Sequence, residues 1–102
     1  MKEIKAIIQP FMLDAVLDAL HQIEGLPGVT ISETRAISPE RGQYAQIVKN
    51  KLEIMVPDPL VERVLQVIQN SAHTGNPGDG RIVVIPIEET VSIRTGERGA
   101  AT

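Results

Sequence analysis

The chain has 102 residues, a formal net charge of −3 and no cysteine, which leaves room for one small domain and for neither disulfides nor thiolate metal sites. Aromatics make up 2% of it, Phe11 and Tyr44 alone, so there is no stacking platform, and without a basic run this argues against a nucleic-acid partner. Met1-Lys2-Glu3-Ile4 lacks the apolar run of a signal peptide and no stretch approaches a membrane span, so a cytoplasmic protein is expected. With 42% hydrophobic residues, the core must come from Ile, Val, Leu and Ala, and small domains of this kind often complete their burial by oligomerising.

Ile4 to Ile8 reads as a strand ended by Gln9-Pro10. Leu13, Val16, Leu17, Leu20 and Ile23 then follow the spacing of an amphipathic helix, which Gly25-Leu26-Pro27-Gly28 breaks. Val29 to Arg35 alternates as a half-buried strand does. Ser38 to Gln46 is polar, carries Pro and Gly and has no convincing period, so it is expected to project as a loop or hairpin tip, where function often resides.

The second half repeats that order. Leu52, Ile54 and Val56 alternate with Lys51, Glu53 and Met55. Asp58-Pro59 offers an N-cap and a proline at the first helical position. Val61, Val64, Leu65 and Ile68 form a second helical stripe, and Arg81 to Ile85 reads as a buried strand. The tail from Glu88 has one short strand-like stretch, Val91-Ser92-Ile93, and is expected to be mobile after Gly96. The fold class is therefore α+β: a ferredoxin-like double βαβ with a four-stranded antiparallel sheet and both helices on one face. The other face needs a cover, and another subunit is expected to supply it.

Between the second helix and the last strand lies Thr74-Gly75-Asn76-Pro77-Gly78-Asp79-Gly80-Arg81, with three glycines in six residues. Such a loop turns tightly and can bring backbone N–H groups close to an anion. Arg81, and Arg94 and Arg98 in the tail, are cations that could neutralise it. A phosphate-bearing ligand is one reading, and a plain glycine-rich connector is the other. The spacing is not a P-loop, because Arg81 and Ile82 stand where Lys and Ser/Thr belong, and no G-x-G-x-x-G occurs. Asp79 suits both readings, since it can cap a turn. His21, His73, Asp14, Asp18, Glu62 and the pair Glu88-Glu89 read as solvated surface groups. No nucleophile–base–orienter set can be assembled, so an enzyme is not expected.

With these elements in place, the chain resembles the PII signal-transduction family. The likeness runs from Met1-Lys2-Glu3-Ile4-Lys5-Ala6-Ile7-Ile8-Gln9-Pro10-Phe11, through Gly28 to Glu33, and from Lys49 to Gly99; the T-G-x-x-G-D-G-x-I loop and the R-T-G-E tail carry it together. The resemblance implies one domain over residues 1–102, with a central T-loop at 36–48, a B-loop at 74–82 and a C-terminal tail at 92–102. It implies a homotrimer with adenine-nucleotide clefts between subunits, filled by ATP, ADP or AMP, with magnesium accompanying ATP. Thr74, Gly75, Gly78, Asp79, Gly80, Arg81 and Lys49 would then meet the phosphates, Arg94 would approach from a neighbouring subunit, and Thr30 and Glu53 would lie near the adenine. Ser38, Glu40, Arg41, Gln43 and Tyr44 would face a regulated partner, a membrane transporter or a metabolic enzyme.

Some positions depart from that pattern. Ser92 stands where the family has the first of two tail arginines, which should weaken triphosphate binding relative to diphosphate or monophosphate. The T-loop is shorter by roughly ten residues, a change a fold tolerates. Ala36-Ile37-Ser38-Pro39-Glu40 replaces the usual G-F-G-R-Q, and Tyr44 lacks the usual context, so neither a 2-oxoglutarate response nor uridylylation is expected; bicarbonate stays open as a second ligand. A CutA-like trimeric metal-tolerance protein and an ACT-type small-molecule-binding regulatory domain are the alternatives.

Overall fold

Burial in the first strand, β1 (Lys2–Ile8), follows a period of two: Ile4, Ala6 and Ile8 are buried, and the residues between them are only partly covered. The structure, a computed structural model, describes residues 1–40 and 43–99. After β1 come α1 (Leu13–His21), β2 (Thr30–Glu40), β3 (Gln43–Val56), α2 (Val61–Ala72) and β4 (Gly80–Pro86). The sheet order is β2-β3-β1-β4 and every pairing is antiparallel. This is the ferredoxin-like double βαβ.

One face of the sheet carries Ile4, Ala6, Ile8, Leu52, Ile54 and Val56, which pack with Val16 and Leu20 of α1 and Val64 and Ile68 of α2. The helices form because their apolar residues recur at three and four positions, giving each one stripe to bury. Ile23 is buried as well, but it lies beyond the end of α1. The opposite face carries Glu3, Lys5, Ile7, Lys51, Glu53, Met55, Arg81, Val83 and Ile85, and among the described residues no helix lies over it as α1 and α2 lie over the first.

Two local expectations, the cap of α2 and the burial of the last strand, are corrected. Asp58 does not cap α2: Asp58–Leu60 is a 3₁₀ turn ahead of the helix, with no side-chain cap bond. Its carboxylate lies 2.7 Å from the amino group of Met1, and that hydrogen bond holds it below the usual carboxylate range. β4 is an edge strand, so Val83, Val84 and Ile85 are exposed by about two-fifths rather than buried. Of the two readings of Ser38 to Gln46, loop or hairpin tip, the second holds: β2 and β3 stay paired from Thr30↔Glu53 to Glu40↔Gln43. Only residues 50–56 of β3 also pair with β1. The remaining length, about 23 Å at strand rise, extends beyond the sheet as a two-stranded arm.

The tail is folded back on itself through Gly99. Val91 bridges Arg98, Ser92 N–H donates to Glu97 O (2.9 Å), Gly96 N–H to Ser92 O (2.7 Å), and Gly99 N–H to Thr90 O (3.1 Å). Glu89 is not merely solvated, because it holds Arg98 at 3.0 Å.

Candidate functional site

The glycine loop is organised around its own carboxylate. α2 stops at Ala72, His73 turns extended, and the chain reverses through Thr74–Asp79 into β4. Asp79 Oδ2 accepts from the backbone N–H of Thr74 (2.8 Å) and of Gly75 (2.9 Å). Asp79 Oδ1 accepts from the Thr74 hydroxyl and from Gln9 Nε2 (3.1 Å). The Thr74 hydroxyl and then the Thr74 N–H are the main causes that lower the Asp79 carboxyl to about 2. The amides of Thr74 and Gly75 are thus engaged within the chain. Gly80 closes the loop against β1 with φ +111°; a Cβ there would lie 1.8 Å from Ile7 O.

Lys49, on β3 opposite Thr34, reaches across to this loop. Its Nζ donates to Gly78 O at 2.5 Å, and the residue is only 8% exposed. Among the described residues it has no ion pair. A largely buried ammonium held by one carbonyl is electrostatically unfinished, because it has two further protons to donate. Lys51 and Arg81 flank Ile7 in the sheet register and share the open face. Lys51 lies 3.9 Å from Glu53, whereas Arg81 is exposed. A positive edge therefore borders the glycine loop.

Thr30 and Glu53 are direct cross-strand partners on that same face. Glu53 stands four positions beyond Lys49 along β3, about 13 Å at strand rise, a span that fits an extended nucleoside phosphate. Two residues further, Met55 borders a cavity of about 560 Å³ whose other walls include Leu26, Pro27, Val91 and Ser92. Arg94 lies on the exposed tail turn. β4 begins opposite Ile8 at the glycine loop and ends opposite Lys2 before the tail, so the two ends lie about 20 Å apart. One chain therefore brings Lys49 to the loop and Thr30 to Glu53, but leaves Arg94 at the far end.

Ser38, Glu40, Gln43 and Tyr44 belong to the paired strands of the arm, and Arg41 lies outside the described residues. Two features escaped the sequence reading. Gln9 tethers the loop from 70 residues away, with no local signal to reveal it. Ile37, Ile47 and Val48 stand exposed on the arm, and their apolar character in an otherwise polar stretch was the available hint.

The family profile described as Nitrogen regulatory protein P-II matches residues 1–97. The chain belongs to the P-II family. It is 46% identical to the nitrogen regulatory protein P-II of Azospirillum brasilense over 109 aligned positions, which cover 97% of this chain and 96% of that one. The corresponding protein of Rhodospirillum rubrum is 47% identical with the same coverage, and that of Haemophilus influenzae 41% identical over 95% of each chain. Since 97% of 102 residues is about 99, about ten of the 109 positions shared with the Azospirillum protein face gaps in this chain. P-II membership makes the chain a signalling regulator, and the ferredoxin-like fold agrees with it. Among the described residues no helix is long and apolar enough to cross a membrane.

Proposed function

We propose that this P-II family member is an adenine-nucleotide sensor that acts in the cytoplasm as a homotrimer and regulates a partner protein, a membrane transporter or a metabolic enzyme, through the β2–β3 arm. The observation that carries the proposal is the largely buried Lys49, whose ammonium among the described residues is held by Gly78 O alone, beside the glycine loop. An anion is the natural occupant there, and Thr30 and Glu53 supply polar groups for a base at nucleotide distance on the same face. Arg94 lies too far along the sheet to serve its own loop, so a second subunit would bring it in, which supports clefts between subunits. ATP with magnesium, ADP and AMP are the candidate ligands, and with Ser92 leaving a single tail arginine the diphosphate and monophosphate should bind best.

The regulatory step is a population shift. Lys49 is a residue of the arm's own strand, so a phosphate that draws its ammonium from Gly78 O changes what holds the arm's root. The arm then presents Ile37, Ile47 and Val48 to the partner in one of two settings.

The test is calorimetric titration with ATP, ADP and AMP, with and without magnesium and 2-oxoglutarate, alongside a native mass measurement. About one nucleotide per subunit on a trimer, indifferent to 2-oxoglutarate, is the expected outcome. No heat from any nucleotide would sink the proposal. Titration with divalent metals and with amino acids tests the CutA-like and ACT-type readings, neither of which any particular contact favours.

A further inference from the structure

The Asp79 carboxylate receives four donors, two on each oxygen: Thr74 N–H and Gly75 N–H on one, Gln9 Nε2 and the Thr74 hydroxyl on the other. That uses the accepting capacity of a carboxylate almost completely. It also ties three parts of the chain together. Gln9 follows directly on β1, whose last residue Ile8 pairs with Gly80, so the loop is fastened to Gln9 and to the end of β1, at Asp79 and at the residue after it. One residue before Asp79, Gly78 O holds the Lys49 ammonium. The loop is folded by contacts inside the protein, and its nearest cation keeps protons to spare.

We propose that Asp79 is a positioning residue, an internal anion that touches no ligand and folds the glycine loop in advance, so that Lys49 and the backbone beyond Pro77 meet a phosphate already ordered. The inference rests on the nucleotide reading above. A loop left to order on binding would lose affinity to the entropy of its own folding. The arrangement also divides the loop's amides: those of Thr74 and Gly75 serve Asp79, that of Asn76 donates to the Thr74 hydroxyl (3.2 Å), Pro77 has none, and only those from Gly78 onward are left for an incoming anion. An asparagine cannot replace the carboxylate, because one of its two heads carries N–H donors and would face donors on the oxygen it displaces.

The experiment combines calorimetric titration of ADP with residue-resolved amide exchange on the wild type, Asp79→Asn and Gln9→Ala. Asp79→Asn should bind ADP about tenfold more weakly or worse, with Thr74 and Gly75 exchanging fast while amides of β1 stay protected and the subunit mass is unchanged. Gln9→Ala should show a smaller loss of the same kind. In the wild type, ADP should leave the exchange of Thr74 and Gly75 unaltered, because Asp79 keeps those amides. Wild-type affinity in both variants, or new ADP-dependent protection at Thr74 and Gly75, overturns the inference while leaving the nucleotide reading standing. A wild type that takes up no ADP overturns both. If Asp79→Asn does not fold, Gln9→Ala and the ligand dependence of wild-type exchange decide the matter.

Discussion

Gly80→Ala perturbs the join between the glycine loop and the sheet, and the geometry gives its size. A Cβ at Gly80 would lie 1.8 Å from Ile7 O and 2.9 Å from Ile7 C, both backbone atoms, whereas real Cβ contacts essentially never fall below 3.0 Å. β1 and β4 must therefore part by at least about 1.2 Å at their Ile7–Gly80 contact. Holding alanine at φ +111° costs about 1–2 kcal/mol. Weakening the adjoining ladder bond adds about 1 kcal/mol, for a total of about 2–3 kcal/mol. Urea unfolding at fixed protein concentration should lower the midpoint by about 1–2 M. Two other glycines separate the causes. Gly96 has φ +74° and nothing within 4 Å, so Gly96→Ala should cost about 1 kcal/mol for its backbone alone. Gly28 has neither the strained φ nor a neighbour within 4 Å, and Gly28→Ala should stay within about 0.5 kcal/mol of wild type. If Gly80→Ala unfolds together with Gly28→Ala, the close approach of β1 to the loop is not real.

Other perturbations probe the core and the charges. Ile68 is fully buried between α2 and the sheet, and Ile68→Ala should cost about 2–5 kcal/mol in the same urea assay; a loss under 1 kcal/mol would contradict the packing. The Asp79 carboxyl is depressed from 3.8 to about 2, so its stabilising contribution is fully present above pH about 4 and is lost as pH falls through about 2. Unfolding curves of wild type and Asp79→Asn should differ at neutral pH and converge at the acid end, and a gap that persists at pH 2 would speak against the carboxylate clamp. Lys49→Met should weaken nucleotide binding by about tenfold or more, the scale of a lost charged hydrogen bond. Arg94→Ala should also weaken it, whereas Arg98→Ala should not, since Arg98 is already held by Glu89; calorimetry with ADP distinguishes the three.

The sequence by itself determined the layered frame. Ile4, Ala6 and Ile8 and then Leu52, Ile54 and Val56 declare strands with one buried face, and the stripes Val16–Leu20 and Val64–Ile68 declare helices that cover it. Those patterns are legible because burial imposes a period on whatever is buried. The same logic explains what stayed hidden. The stretch Ser38 to Gln46 has no convincing period in the sequence, and the cross-strand pairing of β2 with β3 is what makes an arm there. The edge position of β4 exposes Val83 and Ile85 despite an apolar run, because burial depends on which strands flank it and not on its own composition. The glycine loop was legible as a tight turn beside cations, but not as a loop already folded on Asp79. That role depends on Gln9, 70 residues away, and on a Lys49 ammonium brought to Gly78 from another strand. Local periodicity records which side of an element is buried; hydrogen bonds between distant side chains leave no period, and only the assembled fold decides them.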